Sequence, residues 1–139
     1  KDSLDHWHTF PTRDKYDSAL FFSYKDNIYL VSRRNLDGPS ERGGLLPPKL
    51  RRNYNLIRYS VTRKCTALWK LDKRKKQLIH LVDFPSTGDT AFPGIVEFAP
   101  GKFWLLNYSS DIDGPQKSWI RGQLGKTYIY ETVLEIGAQ

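Results

Sequence analysis

Between Gly88 and Ser110 two apolar runs, Gly94-Ile95-Val96-Glu97-Phe98-Ala99 and Phe103-Trp104-Leu105-Leu106, flank a Pro100-Gly101 turn. An acid-bearing loop, Gly88-Asp89-Thr90-Ala91-Phe92-Pro93, leads into the first run, and Asn107-Tyr108-Ser109-Ser110 closes the second. Each run is too short for an ordinary helix and rich in branched and aromatic residues, which favour strands. Pro and Gly stand where the chain must reverse. The stretch therefore predicts a β-hairpin. Because both strands carry little polar content on either face, it is expected to lie between other layers rather than at a wet surface.

The same punctuation recurs along the chain. Ser18–Ser23, Ile28–Arg34, Thr66–Leu71 and Gln77–Phe84 read as strands, with Lys25-Asp26-Asn27 and Asp72-Lys73-Arg74-Lys75-Lys76 as turns. Leu56–Val61 reads as a further short strand and Lys126–Ile136 as the last. Asn35–Leu50, broken by Gly38-Pro39, Gly43-Gly44 and Pro47-Pro48, and Asp111–Gly125 are expected to be long loops, of the kind that more often face a ligand or partner. No helix is expected anywhere. With 139 residues, eight Tyr, seven Phe and four Trp, the chain can bury a core of its own.

The hairpin has an echo about 75 residues earlier. Ala19-Leu20-Phe21-Phe22 matches Gly94-Ile95-Val96-Glu97, and Ile28-Tyr29-Leu30-Val31 matches Phe103-Trp104-Leu105-Leu106. Asp37-Gly38-Pro39 is echoed by Asp113-Gly114-Pro115. Repeated antiparallel strands with long connections predict an all-β fold of β-propeller blades, a first blade over about 15–86 and a second over about 88–139.

Three passages carry a family resemblance: Ala67-Leu68-Trp69-Lys70-Leu71, then Leu78-Ile79-His80-Leu81-Val82, then Gly88–Ile95. With Trp104–Ser110 followed by Thr127-Tyr128-Ile129-Tyr130, they resemble the passage from blade to blade in sialidase-like β-propeller proteins. The Asp-box repeat of that family, Ser-x-Asp-x-Gly-x-Thr-Trp, is absent; Ser109–Gly114 with Trp119 comes near it at a different place in the blade. The resemblance implies a six-bladed propeller with a sugar pocket on its axis. Two blades fall short of the roughly four that close a ring, and no Met stands at position 1. The expectation is therefore a C-terminal part of a longer protein, or a chain that completes its ring with another.

In such a propeller the pocket is reached from the start of each first strand and the end of each second. Those positions are Asp17 and Asp89, and Arg33, Arg34, Asn107 and Tyr108. The resemblance implies Arg33 or Arg34 as a clamp on a sugar carboxylate, Tyr108 as a nucleophile or a stacking ring, and Asp89 as an acid. Asp17 and Asn107 join them as substrate-binding residues. The residues alone leave a second reading open: Asp89 caps a turn, and the two arginines pair with neighbouring acids. The function expected is glycan recognition, with glycoside hydrolysis left open. The alternative is a non-catalytic propeller segment used in assembly.

A formal charge of +7 favours acidic partners, but Lys73-Arg74-Lys75-Lys76 and the cluster Lys49, Arg51 and Arg52 read as solvated surface before they read as a nucleic-acid grip. The expected partners are carbohydrate and the remaining blades; nucleic acid is disfavoured, and no run has the length of a membrane span. No cofactor is implied. His6 and His8 share a face of an extended segment but lack a third ligand, with Asp2 and Asp5 poor candidates, so no metal site is expected. Cys65, the one cysteine, reads as a buried, inert thiol, and no internal disulfide can form. The compartment stays open, with an extracellular or lumenal setting favoured. Asn107-Tyr108-Ser109 is a glycosylation sequon expected to be unused at a strand end.

Overall fold

The computed structural model describes residues 8–10, 12 and 14–137. Two antiparallel sheets form, each a meander in chain order. The first holds β1 (Asp17–Tyr24), β2 (Asn27–Asn35), β3 (Lys64–Asp72) and β4 (Gln77–Phe84). The second holds β5 (Ala91–Ala99), β6 (Lys102–Ser110) and β7 (Thr127–Glu135). The echoed hairpins are thus the first two strands of each sheet. Turn chemistry sets their registers: Asp72 Oδ1 accepts the N–H groups of Arg74 and Lys75 at 2.9 Å, closing the β3–β4 tip. Gly101 holds φ +74° between β5 and β6, and a Cβ there would meet the Tyr24 hydroxyl at 2.9 Å.

The central strands β2 and β3 are buried on both faces. On one face, Leu30, Cys65, Ala67 and Trp69 pack under Tyr16, Leu36 and Leu78. On the other, Tyr29, Val31, Leu68 and Phe84 meet Leu105 of the second sheet, with Phe22, Tyr24, Ile95 and Leu134 around them. Rings close this seam: Phe22 stacks on Tyr29 at 5.2 Å, and Tyr24 meets Phe103 edge-on at 5.5 Å. Each fully buried Leu or Val here contributes on the order of 1.5–3 kcal/mol.

The second sheet departs from expectation. Phe103 and Leu105 turn inward, but their alternates Trp104 and Leu106 are about 45% exposed, beside exposed Val96, Phe98, Ile129 and Val133. Among the described residues one face of the hairpin is buried, not both. The repeat explains which. Leu105, the counterpart of Leu30, packs against Tyr29 and Val31, whose own counterparts are Trp104 and Leu106. The sheets therefore stack back to front, and the second sheet's front is bare among the described residues.

Two helices correct the expectation of none. Pro48–Val61 is a helix, α1, where a loop end and a short strand over Leu56–Val61 are expected. Pro at its first turn supplies a fixed φ and lacks only an N–H that would be orphaned there. Leu50, Tyr54, Ile57 and Val61 follow at helical spacing. Arg58 ties α1 to the preceding loop by donating to the carbonyls of Pro39 at 2.7 Å and Asp37 at 2.8 Å. Lys64, fully buried, donates its Nζ to the carbonyls of Tyr59 at 2.7 Å and Thr62 at 3.2 Å, placing a cation at the C-terminal end of the helix. Burial lowers that amine to about 8. Trp119–Gln123 is a second, short helix, α2, which packs on α1 and is anchored by Trp119 N–H donating to the Thr62 carbonyl at 3.0 Å. None of the described helices is long and apolar enough to cross a membrane.

Candidate functional site

Arg33, near the end of β2, is the centre of a buried polar cluster. Its side chain is 7% exposed. Nε donates to the Thr90 carbonyl at 2.6 Å, Nη1 to the Tyr59 hydroxyl at 3.3 Å, and Nη2 to Asp89 Oδ1 at 3.0 Å and the Tyr108 hydroxyl at 3.3 Å. Burial works against its charge, but the hydrogen bond to Tyr59 and the fields of Tyr108 and Asp89 outweigh that, and its pKa is raised. Asp17 Oδ2 stands 4.0 Å from Nη1, accepts a hydrogen bond from Tyr59, and pairs with Lys15 at 3.0 Å.

Asp89 is an acceptor hub for side chains rather than a turn cap. Besides Arg33 it accepts from the Tyr108 hydroxyl at 3.0 Å, Trp119 Nε1 at 3.0 Å and Gln123 Nε2 at 2.8 Å. Burial, then the hydrogen bond and charge of Asp89, push Tyr108 up to about 12. Burial pushes Tyr59 up as well. Phe92 stacks on Tyr108 at 5.5 Å, and the Trp119 ring lies 6.0 Å from the Arg33 guanidinium.

Local backbone features build this convergence. Asp89 follows Gly88 at φ +64°, and Gly122 of α2 packs directly on the Gly88–Asp89 peptide, where a Cβ would stand 2.7 Å from Gly88 C. Only glycine lets α2 approach closely enough for Trp119 and Gln123 to reach the carboxylate. Both first strands begin irregularly, with register shifts between Asp17 and Leu20 and between Ala91 and Gly94. Ser18 (φ 53°), Ala91 (φ 113°) and Phe92 (φ 45°) lie in the left-handed region disfavoured for non-glycine residues. Strain of this kind sits on both sides of Arg33.

Of the six residues singled out from sequence, Arg33, Asp89 and Tyr108 are in direct contact, and Asp17 joins them through Tyr59. Arg34 points to the opposite face of β2, where Nη1 pairs with Asp83 at 2.8 Å beside His80. Asn107 is buried; its Nδ2 donates to Thr66 Oγ1 at 3.4 Å and the Tyr108 carbonyl at 3.3 Å. Both arginines do pair with acids, as the second reading holds. Tyr59, Trp119 and Gln123 are not among the residues the sequence singles out, because all three lie on helices where loop or strand is expected.

Cys65 is buried in β3, with its thiol pushed up to about 12 by burial and then by Asp83. His6, Asp2 and Asp5 fall outside the described residues; among those described, no three potential ligands come together for a metal. Lys73–Lys76 forms the exposed tip of the β3–β4 hairpin. Comparison of this chain with family models, with curated proteins and with solved structures finds no match.

Proposed function

We propose that this chain is a two-blade part of a larger sialidase-like β-propeller and that the Arg33 cluster recognises a glycan through an acidic sugar. One observation carries the reading: side chains from β1, α1, the β5 approach, β6 and α2 converge on a single buried arginine of β2. Such a network is a poor way to stabilise a fold, since apolar packing of equal volume commonly does as well or better. It is a good way to hold donors, acceptors and rings in fixed positions for a polar ligand. Four of the five Arg33 N–H groups are engaged, which leaves one on Nη1, on the side of Tyr59 and Asp17. Tyr108, bonded to Asp89, is the residue from which hydrolysis would proceed, and in its present setting it holds its proton tightly.

The assembly reading has its own support in the bare front of the second sheet. Trp104 and Leu106 occupy the repeat positions that Tyr29 and Val31 fill in the first sheet, where they are covered. A further sheet stacked back to front would cover them in the same way.

Calorimetric titration with the methyl α-glycoside of N-acetylneuraminic acid, against methyl β-galactoside, tests recognition. The acidic sugar is expected to bind, and Arg33→Lys and Tyr108→Phe to weaken it at least fivefold. Equal binding of the two sugars, or unchanged affinity in both variants, would discard the reading.

A further inference from the structure

A groove of about 520 Å3 runs along α1 beside the Arg33 cluster. Its helical wall carries a polar run, Arg51 and Arg52, then Asn55, then Tyr59, with Pro48 and Leu56 beside it. Residues three or four apart share a helix face, so these side chains form a continuous track. Tyr59 belongs to both places, since its ring lines the groove while its hydroxyl accepts from Arg33. Lys15 stands at the junction, with Nζ 4.1 Å from the Tyr59 ring centroid.

The charge along this track is unspent. α1 carries Lys49, Arg51, Arg52 and Arg58 and no acid. Arg58 is committed to backbone carbonyls, but among the described residues neither Arg51 nor Arg52 forms an ion pair. Asn55 Oδ1 is taken by the Arg42 N–H at 3.0 Å, which fixes the amide. The facing wall holds Asp14 and Glu41. Those two carboxylates disfavour a uniformly anionic polymer packed against them, yet they suit sugar hydroxyls, which donate.

The geometry points to a second subsite: the groove takes the continuation of an acidic oligosaccharide whose first acidic sugar sits at the Arg33 cluster. A later carboxylate is taken by Arg51 and Arg52. At 1.5 Å per residue the run from Tyr59 to Arg51 and Arg52 is about 11 Å long, so the two acidic groups are separated by one intervening sugar rather than adjacent. This inference rests on the glycan reading of the Arg33 cluster and extends it to the length and charge spacing of the ligand.

The test compares free glucuronic acid with a linear trimer in which two glucuronic acids flank one neutral N-acetylglucosamine, on the full chain and on an Arg51→Ala/Arg52→Ala variant. These two side chains make no described hydrogen bond within the fold, so the variant keeps its thermal midpoint. The trimer is expected to bind the wild type at least tenfold more tightly than the monomer. The double variant is expected to lose that gain while holding the monomer as before. Trimer and monomer of equal affinity, or a trimer gain that survives the double substitution, overturns the subsite and leaves the Arg33 reading standing. Failure of every ligand to bind overturns both.

Discussion

Arg33 Nη2 lies 3.0 Å from Asp89 Oδ1, and this pair joins the second strand of the first sheet to the loop that leads into the second sheet. Both side chains are nearly buried, so neither can recover its hydration if the other is removed. Arg33→Met or Asp89→Leu alone is expected to cost roughly 3–5 kcal/mol in urea unfolding, and the double substitution clearly less than the sum. Strict additivity would mean that the two charges do not depend on each other.

Alkaline pH loosens the same cluster. Tyr108 holds its proton up to about 12 in the folded chain, whereas an unfolded tyrosine releases it near about 10. Its folded pKa is raised, so its contribution to stability is full below about pH 10 and is lost as pH climbs toward 12. Tyr59 and Cys65 shift in the same direction and add to the loss. Urea midpoints between pH 9 and 11.5 should fall less steeply for Tyr108→Phe than for the wild type. Parallel curves would show that Tyr108 does not titrate in this way.

Gly122 controls access of α2 to Asp89. Gly122→Ala puts a methyl group into the Gly88–Asp89 backbone, and the expected cost is roughly 1–3 kcal/mol. Because Trp119 and Gln123 are carried away from the carboxylate, near-UV circular dichroism should lose part of its tryptophan signal. A spectrum and stability identical to the wild type would mean that α2 can shift without disturbing the site.

The bare front of the second sheet has a separate consequence. Trp104 and Leu106 are about half exposed, so Trp104→Thr with Leu106→Thr should change the unfolding free energy by no more than about 1 kcal/mol. Sedimentation velocity should show concentration-dependent association of the wild-type chain that the double variant lacks. A wild type that stays monomeric at high concentration would weaken the assembly reading.

What could be read in the sequence divides along physical lines. The strands and their turns are legible because short runs of branched and aromatic residues, Pro100-Gly101 and the charged tip after Asp72 are local signals. The 75-residue echo was legible for the same reason, and both hairpins do open a sheet. α1 departs from the expected loop and strand although its signal is present. Pro47-Pro48 reads as a loop break, but Pro in the first turn also starts helices. Leu50, Tyr54, Ile57 and Val61 then keep helical spacing, but reading only Leu56–Val61 shows too few residues for the period to emerge.

The site was half legible. Strand-end position picked out Arg33, Asp89 and Tyr108, which meet. It gave no means of separating Arg33 from Arg34, although neighbours in a strand face opposite ways and only one of them can reach a given pocket. Tyr59, Trp119 and Gln123 come from sequence separations of 26 to 34 residues to their partners. Contacts of that range depend on how the helices dock, and no local pattern announces them.

The most direct test of glycan recognition watches the cluster itself. Trp119 Nε1–H and Arg33 Nε–H each report from within it by two-dimensional 1H–15N NMR, during titration with the methyl α-glycoside of N-acetylneuraminic acid. Both resonances should move along one saturating curve, while the indole signals of Trp69 and Trp104 stay in place. If Trp119 and Arg33 remain still at roughly 20 mM sugar, well above a weak Kd of about 1 mM, the cluster is a structural lock and not a glycan site.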